Sequence, residues 1–412
     1  MRRALAAGLC ALAVSCAVAS PIGIHVHRGP EVEAAAGVGF TSLRLWDSFT
    51  MWSDLQPEPW RVRLGALEAR VAQAERLRLR VILTLGGTPQ WASMRPAERC
   101  PYGWGCAAPP ANLDHWRAYV RAVARTFAGR IECYETWNEV SFPTDPELVR
   151  VGAQGDPMFF SGTPAELAAL QRAAFEEIRQ ADPSACVLSP SFHGSGDWNR
   201  KLDRFLAAGG ARYFDKLSWH FYFGDLPEDT RRVAGEVRSV LSRHGLAEIE
   251  IWNTEVGIPF ALKRAGRGPA EFREFVFAHT LRTYLANLAS GVSRVYWYAW
   301  DNGEFGLSRE KSGVGTLALE AARASIELLR GVQAVSCPGA NVVAVWRCEI
   351  RYLDGSAREL AWSTLGPDRP ASEVVLARPA RRWGSDAPPV AAGQPLLLGP
   401  VPWVSDGYRR GP

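Results

Sequence analysis

The chain has 412 residues, of which 47% are hydrophobic and 22% charged, an ordinary globular composition that can bury a barrel-sized core and a smaller second body. Its formal charge of +4 includes Arg2 and Arg3, and no clustered Lys/Arg footprint is present, so composition gives no support to a nucleic-acid partner. The 16 Trp are the informative count, because aromatic faces stack on the apolar faces of sugar rings, although many buried aromatics simply belong to the core.

Residues 1–19 open with two arginines, run through an apolar stretch from Ala4 to Ala19 and end on Ala17-Val18-Ala19, a small-residue cleavage site. This reads as a secretory signal peptide and predicts an exported protein, periplasmic or extracellular. The run is short for a spanning helix, and Pro21 follows it at once. Ala13-Val14-Ser15-Cys16 resembles a lipoprotein box, the alternative in which a lipidated Cys16 tethers the chain to a membrane.

Six cysteines follow the leader. An oxidising compartment permits disulfides, and the short loop Cys100-Pro-Tyr-Gly-Trp-Gly-Cys106 predicts a clip between its ends. Cys337 and Cys348 flank a turn-like Pro-Gly segment and form a second candidate pair. Cys133 and Cys186 sit in apolar runs and read as buried thiols. No CxxC spacing points to a metal, and the sequence calls for no cofactor.

From residue 20 to 330, β-rich apolar runs alternate with helical stretches. The runs are Ile22 to His27, Leu43 to Asp47, Val81 to Gly86, Ile131 to Glu139, Cys186 to Pro190, Leu217 to Tyr222, Ile249 to Glu255 and Val292 to Trp300. Between them, Ala66 to Leu79, Leu113 to Ala128, Thr163 to Ala181, Glu228 to His244 and Glu271 to Ser290 carry apolar residues at helical spacing. Thr163-Pro164-Ala165-Glu166 predicts an N-cap, a proline at the first position and a capping acid. Alternation alone suits a doubly wound sheet as well; eight units favour a (β/α)8 TIM barrel. After residue 331 short strand-like runs separated by Gly, Pro and Asp predict a small all-β, sandwich-like domain over 331–412. With no low-complexity linker before it, its expected role is to cap the barrel rather than to act as a separate module.

Run four, Ile131-Glu132-Cys133-Tyr134-Glu135-Thr136-Trp137-Asn138-Glu139, places Ile131, Cys133, Glu135, Trp137 and Glu139 on one face by strand alternation. Run seven, Ile249-Glu250-Ile251-Trp252-Asn253-Thr254-Glu255, places Glu255 on the face of Ile249 and Ile251. Both acids fall at the C-terminal ends of their strands, the end that carries catalysis in such barrels. Two carboxyls at a shared mouth are what glycoside hydrolysis with retention requires, one to protonate the leaving oxygen and one to attack.

The segments Tyr134-Glu135-Thr136-Trp137-Asn138-Glu139 and Ile251-Trp252-Asn253-Thr254-Glu255-Val256-Gly257 resemble the strand-four and strand-seven signatures of clan A glycoside hydrolases, family 39 above all. Leu43-Arg44-Leu45-Trp46-Asp47 and Leu85-Gly86-Gly87-Thr88-Pro89-Gln90-Trp91-Ala92-Ser93 add to the resemblance, which covers the barrel. It implies that Glu139 is the acid/base, that Glu255 is the nucleophile and that Asn138 binds the sugar hydroxyl beside the reacting carbon. It gives Arg44 the task of holding the nucleophile ionised, next to a second reading as the buried partner of Glu135. His220 and Tyr222 become ligands of sugar or nucleophile. The usual clan pattern of Asn-Glu-Pro is broken here by Val140, which leaves the loop after strand four open.

His25 and His27 share a face of run one. They read as an interior hydrogen bond and, at His27, a sugar contact, since no third metal ligand is evident. Trp91, Trp297 and Trp300 are placed at the mouth as stacking platforms, the last two on opposite faces. The expected activity is retaining hydrolysis of β-linked polysaccharide, including an endo-acting enzyme on exopolysaccharide. Transglycosylation on the same scaffold and a non-catalytic sugar-binding barrel are the alternatives, and no Gly-x-Ser-x-Gly elbow supports a serine hydrolase.

Overall fold

The computed structural model describes residues 20–194, 199–223, 226–308, 315–338, 345–364 and 373–409. The expected signal peptide, Cys16 and residues 341–344 of the expected all-β region lie outside the described residues. Eight strands form a closed parallel barrel: β1 Ile22–His25, β2 Ser42–Leu45, β3 Arg80–Leu85, β4 Cys133–Thr136, β5 Cys186–Leu188, β6 Lys216–His220, β7 Glu250–Val256 and β8 Val292–Trp297. Each pairs with its successor, and β8 returns to β1 with Ile22 opposite Val295. Outside them lie α1 Val32–Val38, α2 Gly65–Arg76, α3 Leu113–Thr126, α4 Pro164–Ala181, α5 Asn199–Ala207, α6 Asp229–Arg243, α7 Pro269–Ala289 and α8 Gly315–Leu328.

Local chemistry accounts for the boundaries. The α4 N-terminus is a reciprocal capping box: Glu166 N donates to Thr163 Oγ1 at 3.2 Å, and Thr163 N donates to Glu166 Oε2 at 2.7 Å. The helix α7 is buried around most of its circumference, because it lies between the barrel and the appendage. That burial explains its apolar character on several faces.

Inside the barrel, side chains form levels. Ile82, Cys133, Leu188, Trp252 and Tyr296 make an apolar floor. Tyr296 crosses β1 so closely that a Cβ at Gly23 would lie 2.3 Å from its ring, so only glycine fits there. Above the floor the interior turns polar with Arg44, Thr84, Glu135, Ser218 and Thr254. The barrel is therefore a plug at one end and a reactive cup at the other.

The cysteine expectations meet with two outcomes. Cys100–Cys106 and Cys337–Cys348 are disulfides as predicted. Cys133 and Cys186 are not free thiols: they face each other across β4 and β5, with Cα atoms 4.4 Å apart, and are bonded. The apolar runs signalled the burial of Cys133, while Cys186 is half-buried, and only the pairing register reveals that the two residues are direct neighbours.

The appendage begins with β9 Val332–Ser336 and continues through β10 Val345–Tyr352, β11 Ser356–Ser363, β12 Glu373–Val375, β13 Ala380–Arg382, β14 Pro395–Leu397, β15 Trp403–Ser405 and β16 Tyr408–Arg409. It is all antiparallel, with one sheet ordered β9-β10-β11-β15-β13, β16 added on β11, and a separate β12-β14 pair. Its Trp346 and Trp362 stack at 5.5 Å and belong to the same buried cluster as the barrel helices. The fold is thus a TIM barrel with a C-terminal all-β domain packed on it.

Candidate active site

Regular alternation does not deliver Glu139 to the mouth. The strand β4 ends at Thr136, and Trp137 takes a positive φ of 77°, turning its ring outward onto Trp116 and Phe160. Asn138 and Glu139 are thereby swung inward, Glu139 itself at φ 37°. Ser191 holds this turn: its Oγ accepts from Glu139 N at 2.9 Å, and its carbonyl accepts from Val140 N at 3.2 Å. A proline at Val140 would lack the N–H for that second bond, so the departure from the clan pattern is matched by an added hydrogen bond. The strain lies where function would place it.

Strand β7 needs a similar correction. Ile251 belongs to the outer core shared with the helices, and Trp252 to the barrel floor, so the face of Ile251 is not the interior one. The register with β8 shifts between Asn253 and Val256. That irregularity accounts for Thr254 and Glu255 both meeting interior partners.

The two acids face each other: a carboxylate oxygen of Glu139, a ring nitrogen of His220 and a carboxylate oxygen of Glu255 all lie within 4.8 Å of one another. Arg44 donates from Nη1 to Glu255 Oε2 at 2.8 Å and from Nη2 to Asn138 Oδ1 at 2.6 Å. It also donates to Glu135 Oε2 from Nε and Nη2 at 2.9 and 2.6 Å, so the Glu135 partnership is present and the same guanidinium also meets Glu255. Burial disfavours the charge on Glu135, but Arg44 and donors on Ser218 and Thr84 keep its carboxyl below the usual range. Tyr222 donates its hydroxyl to Glu255 Oε1 at 3.0 Å, so both carboxylate oxygens of Glu255 are held. With its carbonyl oxygen bound to Arg44, Asn138 has its amide N–H2 as the end to offer a ligand.

His220 is fully buried, and its Nδ1 lies 2.9 Å from Glu139 Oε1. Burial pulls its pKa down to about 4, so the ring is neutral in mildly acidic to neutral solution. It fixes one oxygen of Glu139. His27 behaves oppositely: burial works against its charge, yet Asp301 at 2.7 Å and Asp47 at 3.4 Å raise it to about 9. His25 Nε2 lies 2.8 Å from Trp46 O and 3.0 Å from Asp47 Oδ1. Asp47 supplies the third metal-type group that the sequence did not reveal. However, an imidazolium at His27, and a His25 nitrogen placed to donate to a carbonyl, describe a hydrogen-bonded cluster rather than a ligand set.

The stacking expectation fails for Trp297 and Trp300, while Trp91 stays half-buried on the connection after β3. Trp297 is fully buried and stacks on Phe260 and Tyr284 outside the barrel. Trp300 is 2% exposed, with its indole N–H on Glu31. Trp91 packs on Trp52 and His115, its N–H on the Gln56 carbonyl. Just past the end of β8, Tyr298 reaches the site, edge-on to His25 and His27 at 5.0 and 5.5 Å. Alternation from Tyr296 on the floor could have found it. Asp47, Tyr102 and Asp301 were also missed, since each lies on a connection after its strand, where periodicity carries no signal.

No protein-family model and no curated protein matches this chain. Solved structures do. A monomeric β-xylosidase from Caulobacter crescentus CB15 aligns with a TM-score of 0.63 at 13% identity, over 95% of this chain and 97% of its own. The GH39 enzyme from Xanthomonas axonopodis pv. citri gives 0.58 at 15% identity, covering 86% and 76%. A glucosidase from Croceicoccus marinus gives 0.56 at 18%, covering 90% and 82%. The likeness is one of fold, and in the first case it spans nearly the whole chain.

Proposed function

We propose that the protein is a retaining glycoside hydrolase that cleaves β-glycosidic bonds in a polysaccharide, with Glu139 as acid/base and Glu255 as nucleophile. The observation that carries this reading is the approach of the two carboxyls to within 4.8 Å. Retaining enzymes hold their carboxyls about 5–5.5 Å apart, whereas inverting ones need about 6.5–9.5 Å to admit a water between carboxyl and sugar.

In this mechanism Glu139 protonates the leaving oxygen while a Glu255 oxygen attacks the anomeric carbon from the opposite face. The bond to the leaving group breaks, a glycosyl ester forms on Glu255, and the second sugar departs as an alcohol. Water then enters, gives its proton to Glu139 and displaces Glu255, restoring both groups. Arg44 and Tyr222 hold the two oxygens of Glu255 in place for attack. The Asn138 amide is placed for the neighbouring sugar hydroxyl, where a hydrogen bond strengthens as positive charge develops on the ring.

The two signatures resemble those of PslG, a periplasmic exopolysaccharide glycosidase. Together with the leader at residues 1–19 they support an exported enzyme acting on exopolysaccharide. The test is a digestion panel with wild type, Glu139→Ala and Glu255→Ala, followed by azide rescue. Rescue with retained configuration for Glu139→Ala and inverted configuration for Glu255→Ala is expected. Undiminished activity in both variants would overturn the assignment.

A further inference from the structure

The seven-residue loop Cys100–Cys106 is built more rigidly than a surface connection requires. Arg99–Cys100 and Gly103–Trp104 pair as a hairpin, and the Cys100–Cys106 disulfide closes it. Gly105 has a φ of 74°, and a Cβ there would meet Ser93 at 2.8 Å, so the loop seats tightly against the β3–α3 connection. Thr88 N–H, just beyond β3, donates to the Cys106 carbonyl at 3.1 Å.

This rigid loop presents Tyr102. The ring stands edge-on to Trp46 at 5.8 Å and against Phe159 at 5.9 Å, so aromatics from the connections after β2, β3 and β4 converge. The hydroxyl donates to Asp47 Oδ2 at 3.2 Å, and Asp47 is the carboxylate that also binds His25 and His27 at the mouth. Yet Tyr102 is 38% exposed and Trp104, two residues on, 47% exposed. An aromatic pinned in orientation and left open to solvent offers a pre-organised face, so little ordering entropy is lost when a ligand covers it. A carboxylate beside an aromatic face fits a pyranose ring, whose apolar C–H face stacks while its hydroxyls donate.

We infer that the disulfide-clipped hairpin is a sugar-binding wall, in which Tyr102 and Asp47 receive a ring of the glycan chain outside the one being cleaved. This rests on the glycosidase reading and adds where a ring of the chain other than the reacting one is held. The wall is continuous with the catalytic cup through Asp47, so its occupant belongs to the same chain.

The experiment compares kcat/KM along β-linked xylo- and cello-oligosaccharide ladders, from disaccharide to hexasaccharide, for wild type, Tyr102→Phe and Tyr102→Ala. Far-ultraviolet circular dichroism establishes that the variants are folded. The wild-type gain with chain length should shrink about tenfold in Tyr102→Ala, the size expected for losing one aromatic face. Tyr102→Phe, which keeps the ring, should retain most of it. A Tyr102→Ala ladder parallel to the wild-type one overturns the wall and leaves the glycosidase reading standing. A wild type that is active on short members and indifferent to length overturns it likewise, and a wild type inactive on every member removes the wall and counts against the underlying reading too.

Discussion

Arg44 donates to Glu255 Oε2 at 2.8 Å with one nitrogen, while its other edge clasps Glu135, a fully buried carboxylate, at 2.9 and 2.6 Å. One guanidinium therefore couples the proposed nucleophile to the interior of the barrel. Arg44→Lys keeps the charge but cannot span three partners, so kcat should fall on the order of a hundredfold through misplacement of Glu255. Arg44→Met leaves Glu135 buried without its cation and should cost about 3–5 kcal/mol in denaturant unfolding. A wild-type kcat in Arg44→Lys would separate Arg44 from the chemistry.

Two histidines give stability opposite pH dependences. His220 titrates near 4 in the folded protein against 6.5 unfolded. The unfolded chain then binds more protons between these values, and stability falls as pH drops from 6.5 to 4, on the order of 3 kcal/mol from His220 alone; His193, lowered by burial to about 4 as well, adds in the same sense. His27 titrates near 9, so its contribution is complete below pH 6.5 and is lost as pH rises. Lys201, lowered by burial to about 8, acts in the opposite sense above pH 8. The His27 limb is therefore read between pH 6.5 and 8, where about 2 kcal/mol should disappear. Thermal unfolding across pH should peak near 6.5, and His27→Gln should flatten the alkaline side; an unchanged alkaline limb in that variant would assign it elsewhere.

The bond between Cys133 and Cys186 closes a loop with a sequence separation of 53. In the chain-entropy model a loop of this size contributes about 4 kcal/mol. The Cys133→Ala/Cys186→Ala double variant should lose stability of that order in urea. If unfolding by reductant and by the double substitution leaves the midpoint unmoved, the bridge carries no structural weight.

That disulfide also marks how far the sequence could be read. Strand count, element order, the capping box at Thr163 and the positions of Glu139 and Glu255 at strand ends all follow from patterns that local chemistry enforces. What failed was extrapolation of alternation past the last regular residue. Trp137 at φ 77° and the register shift before Val256 both interrupt the period of two, and the carboxylates come inward by way of those interruptions. Trp297 missed the mouth for the opposite reason: it keeps alternation next to the interior Tyr296 and faces out, where its ring fills the space between β8 and α7. Cross-strand neighbours such as Cys133 and Cys186, and loop residues such as Asp47 and Tyr102, depend on register and closure, which no single segment encodes.

The junction between barrel and appendage rests on Glu228. Its carboxylate accepts from Arg282 Nε and Nη2 at 2.7 and 2.6 Å and from the Trp362 indole N–H at 2.7 Å, joining the start of α6 to α7 and to β11. Arg282 Nη1 reaches on to the Pro400 carbonyl at 3.2 Å. All three side chains are buried, so no water can replace a lost partner without opening the interface. Glu228→Ala leaves the Arg282 cation buried and unpaired and should cost about 3–5 kcal/mol. Glu228→Gln keeps the shape and one acceptor oxygen, and should cost less. If the appendage is a cap, both variants should unfold in a single transition at lower denaturant, with activity and stability lost together. A second transition, with the barrel still active after the appendage has melted, would instead make the appendage a separable module.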